Sequence, residues 1–196
     1  METKKSYPDF GTYHLKSWQN SITQTSRRLP TNWLGRKLAL ILRKIVIKSA
    51  NMPIMDGEID GIKLRCRTQD NISERKFFFM PQFCDAAERH LIANMLPADG
   101  IFLDIGANAG IYTLTAAHQC TNGGKVIAIE PNPVVLARLQ ENLAINNYTD
   151  RVTIIQKGVS DTKGSFTLLL DDTNLWLSSL FTKRSEIGSE ITIDCL

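Results

Sequence analysis

Strands alternating with helices across residues 101–156, a glycine loop between the first strand and the first helix, and a carboxylate ending the second strand predict an α/β chain. The expected architecture is a Rossmann-like, mostly parallel sheet flanked by helices, incomplete at its C-terminus and preceded by a helical and β-hairpin extension. The 196 residues, 43% of them hydrophobic, suffice for one such domain with an appendage. We divide the sequence into an extension, 1–84, and a cofactor-binding domain, 85–196.

The extension carries the positive charge. Residues 1–50 hold ten Lys/Arg against two acids, a balance of +8, whereas the remainder holds thirteen against eighteen, a balance of −5. Such an asymmetry attracts anionic partners or is a solvated basic face. Residues 1–10 are polar and broken by Pro8, unlike a secretory signal. The longest apolar run, residues 38–42, stops at Arg43-Lys44, far short of the roughly 20 residues of a membrane span. Cys66, Cys84, Cys120 and Cys195 are scattered without a C-x-x-C pair or His at ligand spacing. That pattern predicts neither a metal site nor a disulfide framework, and favours the reducing cytoplasm.

Over residues 31–49, Leu34, Leu38, Ile41, Leu42 and Ile45 share one helical face, and Arg36, Lys37, Arg43, Lys44 and Lys48 another. This amphipathic basic helix either makes peripheral membrane contact through residues 31–49 or packs its apolar stripe on the neighbouring domain. Residues 54–80 hold short alternating runs with Asp56-Gly57 and Asp60-Gly61 as turns, which reads as a small hairpin. Asp85 is placed to cap a helix carrying Ala87, Leu91, Ile92 and Met95 toward a core, ending before Pro97.

From residue 101 the expected order is a strand at 101–105, a helix at 109–119, a strand at 125–130, a helix at 133–145 and a strand at 152–156. Asn132 followed by Pro133 is a strong helix start, because proline's missing N–H costs nothing at the first helical position. A turn at 158–164 then leads to strands near 166–170 and 191–194.

The chemistry centres on Phe102-Leu103-Asp104-Ile105-Gly106-Ala107-Asn108-Ala109-Gly110, where an apolar strand runs into a tight loop that opens a helix. Gly106 lets the backbone approach a ligand, Gly110 allows close helix packing, and the helix N-terminus is expected to offer unpaired N–H groups. Glu130 follows by about 20 residues, where a carboxylate can accept hydrogen bonds from both hydroxyls of a ribose.

NAD and S-adenosylmethionine share that adenosine ribose, but the loop separates them. Asn108 occupies the position of the middle glycine that a pyrophosphate requires, and Asp104 suits a cationic amino acid and sulfonium. Asp104 can alternatively cap the loop by accepting backbone N–H groups.

Three blocks, residues 103–110, Ile129-Glu130-Pro131-Asn132-Pro133, and Gly158-Val159-Ser160-Asp161, together with Ser178-Ser179-Leu180, resemble successive blocks of the FkbM-like methyltransferases over about residues 85–196. The resemblance implies S-adenosylmethionine as cofactor, with Asp104, Gly106, Asn108 and Gly110 at its methionine end and Glu130 at the ribose. It places Val159, Ser160 and Asp161 near adenine, and Ala107 and Asn132 complete the implied cofactor-binding set. It also implies O-methylation of a hydroxyl on a sugar or natural product, hence a small-molecule or glycan acceptor. The family pattern continues with a further strand and a D-x-E-G block beyond the last residue here, so a partial sheet is expected.

Methyl transfer to a hydroxyl benefits from a general base, but His14, His90 and His118 fall outside the loop region and no catalytic residue is assigned. Trp176 is either an acceptor wall or ordinary packing, and Ser178 and Ser179 lack a nucleophile elbow. Two other readings stay open, a non-catalytic cofactor-binding scaffold and an NAD-dependent oxidoreductase. Nucleic acid is not expected as a partner, since the basic helix lacks interleaved aromatics.

Overall fold

The structure, a computed structural model, describes residues 7–171 and 188–196. The chain opens with two helices, α1 (Ser17–Arg27) and α2 (Trp33–Ala50). Asn32 caps α2 by accepting the Gly35 N–H at 2.8 Å, and Asn51 ends it in the left-handed conformation, φ 50°. Among the described residues no helix is long and apolar enough to cross a membrane.

Of the two readings of the apolar stripe, packing on the neighbouring domain is not what most of it does. Leu34, Leu38, Ile41 and Ile45 are 64, 41, 54 and 44% exposed, and the buried positions of α2 are Gly35, Ala39 and Val46. The reason lies in α1, which the sequence pattern did not reveal because its inward residues are Gln19, Thr23 and Ser26. A small polar face pairs with a small face, and Gln19 donates to Ser49 Oγ at 3.2 Å across the pair.

Next comes an antiparallel hairpin, β1 (Ile54–Ile59) and β2 (Ile62–Arg67), turned by Asp60-Gly61 with φ 52° and 79°. Asp56-Gly57, expected as a second turn, lies within β1. Asp56 is buried there because Arg65 pairs with it at 2.8 Å. Arg65 also bonds Glu141 at 2.9 Å, so a buried ion cluster ties the hairpin to the later helix that carries Glu141. A short helix, α3 (Ile72–Phe79), follows. It buries Glu74 and Phe77, Phe78 and Phe79, a run with no helical period and therefore illegible beforehand.

α4 (Ala86–Met95) forms where expected but faces differently. Leu91 and Met95 are 58 and 71% exposed, whereas Arg89 is buried, donating to the carbonyls of Cys84 and Pro81 and to Asp60. Asp85 occupies the N-cap position in the left-handed conformation, φ 45°, without a capping hydrogen bond.

The α/β unit is β3 (Ile101–Ile105), α5 (Ile111–Gln119), β4 (Lys125–Ile129), α6 (Pro133–Asn146) and β5 (Val152–Ile155). Its three strands are parallel in the order β3-β4-β5, with Ile105 opposite Ile129 and Ile129 opposite Ile155. The C-terminal ends of the strands are therefore level, and their following loops share one edge, where α/β sheets bind ligands. An antiparallel pair, β6 (Gly164–Asp171) and β7 (Gly188–Cys195), joins the end of β5 through a bridge between Gly158 and Cys195. One hydrophobic core runs from Met55, Leu64 and Phe77 to Leu114, Val126 and Leu139, so the extension and the α/β unit are packed together.

Candidate functional site

The loops after β3 and β4 meet at two carboxylates. Asp104 is buried in β3, and Glu130 is buried one residue beyond β4. Asp104 accepts the Thr113 hydroxyl from the first turn of α5. Glu130 accepts the N–H of Asn108 on one oxygen and that of Asn132 on the other, each at 2.8 Å.

Burial pushes both carboxyls above their ordinary pKa range. For Asp104 the bonds from Thr113 oppose the shift; for Glu130 the N–H groups of Asn132 and Asn108 oppose it, and the negative charge of Asp104 adds to it. Among the described residues neither carboxylate has a basic partner in an ion pair. Two acids without a cation make the pocket a favourable environment for positive charge.

The loop amides account for themselves. Gly106 and Ala107 both donate to the Ile129 carbonyl, at 2.9 and 3.0 Å, and Gly110 donates to Ala107 at 2.8 Å. Asn108 donates to Glu130, and Ala109 to the Asn108 side chain at 2.7 Å. The N–H groups of residues 106–110 are thus committed within the protein: the loop is folded upon itself and upon β4.

Gly106 has φ 76° and open space where a Cβ would stand; Gly110 has φ 93°, and a Cβ there would lie 2.3 Å from Leu139 Cδ1 on α6. Ala107 is buried and Asn108 holds φ 50°. Asn132 caps α6 by accepting the Val134 N–H at 2.9 Å while its own N–H is on Glu130. Val159, Ser160 and Asp161 follow β5 at the same sheet edge, where the Ser160 hydroxyl donates to Asp161 at 3.2 Å. Trp176, Ser178 and Ser179 lie outside the described residues. His118 is engaged with the Tyr148 hydroxyl at 2.7 Å in the last turn of α5.

Two neighbours of the site escaped sequence reasoning. Thr113 carried no pattern beyond helix. Asn71 is 37 residues before Asn108, yet its side chain donates to Asn108 Oδ1 at 2.8 Å; its only linear signal was the Asn-x-x-Glu start of α3.

Residues 104–196 match the Methyltransferase FkbM domain, beginning at Asp104 itself. Over this segment the chain resembles the FkbM methyltransferases. The chain is 34% identical over 95 residues to Methyltransferase sdnD of Sordaria araneosa, covering 48% of the chain and 35% of that protein. It is 33% identical over 82 residues to the tRNA1(Val) (adenine(37)-N6)-methyltransferase of Shewanella amazonensis, covering 42% of the chain and 34% of that enzyme. The chain thus spans about a third of the length of these curated relatives.

Among solved structures it is similar to P. horikoshii TYW2 in complex with MeSAdo, with 18% identity, a TM-score of 0.46 and coverage of 75% of the chain and 66% of TYW2. A candidate rRNA-methylase from Clostridium thermocellum matches with 22% identity and a TM-score of 0.36 over 37% of the chain and 41% of that protein. The relative named for tRNA corrects the expectation that nucleic acid is no partner. The absence of interleaved aromatics on one helix is too local a feature to exclude an acceptor class.

Proposed function

We propose that this FkbM-like segment binds S-adenosylmethionine and transfers its methyl group to a hydroxyl of a sugar or natural-product acceptor. The observation that carries the cofactor reading is the pair of buried carboxylates, Asp104 and Glu130, without a basic partner among the described residues at the edge shared by the loops after β3 and β4. The residues fit the ligand. A cationic amino acid relieves the mutual repulsion of the carboxylates, and each Glu130 oxygen, using one lone pair on an N–H, keeps another for a ribose hydroxyl. A pyrophosphate finds no such welcome, since the N–H groups of residues 106–110 are engaged.

When bound, the sulfonium supplies an already activated methyl group. The chain's own task is alignment: Glu130 and Asn132 orient the ribose end, Asp104 holds the cationic end, and Gly106 leaves the approach open. We assign residues 85–196 to this cofactor-binding unit, with residues 1–84 as an extension packed against it. In this reading Val159, Ser160 and Asp161 border the adenine. Buried free thiols at Cys66, Cys84, Cys120 and Cys195 support a reducing, cytoplasmic setting.

Calorimetric titration of the 196-residue chain with S-adenosylhomocysteine tests the cofactor, with NAD and a Glu130→Ala variant in parallel. Saturable binding of S-adenosylhomocysteine alone, weakened in the variant, is expected. No binding by a folded chain, or equal binding of NAD, would overturn the reading. Radiolabelled methyl transfer to hydroxylated small molecules and to tRNA tests the acceptor, and label in tRNA alone would replace the hydroxyl assignment.

A further inference from the structure

The cofactor loop is held from outside the α/β unit. Asn71, fully buried at the start of α3, accepts the Glu74 N–H on its Oδ1 at 3.1 Å and donates from Nδ2 to Asn108 Oδ1 at 2.8 Å. Both amide orientations follow from backbone donors: Glu74 N–H requires the oxygen of Asn71, and Ala109 N–H requires the oxygen of Asn108. Asn71 must therefore be acceptor and donor at once. Asp has no donor when ionised, Ser is too short, and Gln is too long to cap.

The receiving residue is the one non-glycine of the loop in the left-handed region, Asn108 with φ 50°. Its own N–H reaches Glu130 at 2.8 Å. Behind Asn71, α3 is anchored by Glu74, which accepts the Arg67 N–H at 2.6 Å and pairs with Arg138 of α6 at 3.1 Å. A continuous path of hydrogen bonds thus runs from the hairpin and α6 through Asn71 to the loop and to Glu130.

We infer that Asn71 is a positioning residue that locks Asn108 in its left-handed conformation and thereby sets the affinity of the loop for S-adenosylmethionine. The affinity clause rests on the cofactor reading above; the locking clause does not. The extension is then a working part of the cofactor site, and α3 is its brace.

Two variants separate this role from simple helix capping. Asn71→Asp and Asn71→Ser both retain a good cap, the second without added charge, and both lose the bond to Asn108. Amide hydrogen exchange on the ligand-free chain is expected to quicken roughly tenfold at Asn108 and Ala109 in both variants, with Val134 N–H unchanged as the internal control. Calorimetric affinity for S-adenosylhomocysteine is expected to fall roughly tenfold, while the unfolding midpoint stays within a few degrees of the parent.

Parent-like exchange in a folded variant overturns the brace, because capping alone predicts that result. Quickened exchange with unchanged affinity overturns the link to the cofactor. Failure of the parent chain to bind S-adenosylhomocysteine sinks the cofactor reading and the affinity clause with it, while the exchange arm still decides the brace.

Discussion

Gly110 stands against Leu139 so closely that a Cβ would meet the leucine Cδ1 at 2.3 Å, which brings the start of α5 onto α6 and closes the loop. Gly110→Ala adds that overlap to the strain of φ 93° and is expected to cost about 2–4 kcal/mol, read as a lower urea midpoint. Gly106→Ala meets no atom and carries only the strain of φ 76°, about 1 kcal/mol. Its larger effect is expected in cofactor titration, since its open side is where the proposed cofactor would approach.

Asp104→Asn is expected to make the chain more stable at neutral pH and poorer at its task. The buried carboxyl has a raised pKa, so its charged form is the one the fold disfavours. Removing the charge should gain roughly 0.5–2 kcal/mol in urea unfolding at pH 7 and weaken S-adenosylmethionine binding about tenfold. A variant that is destabilised and binds normally would contradict the assignment.

The same raised values give binding a pH dependence. A cationic ligand favours the ionised carboxylates, so affinity should be greatest above the raised pKa values of Asp104 and Glu130 and fall as pH drops through them. Calorimetry across pH 4.5–8, run in buffers of different ionisation enthalpy, should show proton release on binding at the acid end. For stability the sign is opposite, because a raised carboxyl contributes below its unfolded value and loses that contribution as pH rises through the folded one.

Arg65 holds Asp56 and Glu141 in the buried cluster. Burial tends to raise the Asp56 pKa, but hydrogen bonds from Arg65 and from the N–H groups of Gly11 and Tyr13 outweigh it and hold the carboxyl low. Arg65→Ala leaves the buried Asp56 without its ion-pair partner, while Glu141 keeps Arg67, and is expected to cost about 3–5 kcal/mol at pH 7. In the parent, the Asp56 contribution is present above its unfolded value and lost as pH falls through its depressed folded value, so the variant should also have a flattened acid limb in stability measured against pH.

The orientation of α2 is testable by contrast. Leu38→Gln and Ile41→Gln, on the exposed stripe, should change stability by no more than about 0.5 kcal/mol, whereas Ala39→Leu, at a fully buried position, should cost about 1–3 kcal/mol. The reverse ranking in thermal unfolding would place the stripe inside.

Residue order alone determined the α/β alternation, the bounds of β3, the cap at Asn132, and the candidacy of Asp104, Gly106, Asn108, Gly110 and Glu130. These are local matters: strand and helix periods, cap chemistry and loop conformation are set by residues within a few positions of one another. Tertiary structure decided the rest. Only packing could turn Leu38 outward and Ala39 inward, because the face a helix buries depends on its partner, and α1 offers Gln19, Thr23 and Ser26. Only folding could bring Asn71 to Asn108, or commit the N–H groups of the loop to Ile129 and Glu130, since those bonds join residues remote in sequence. A hydrogen bond leaves no period in the chain, and so the brace of the cofactor loop became visible only in three dimensions.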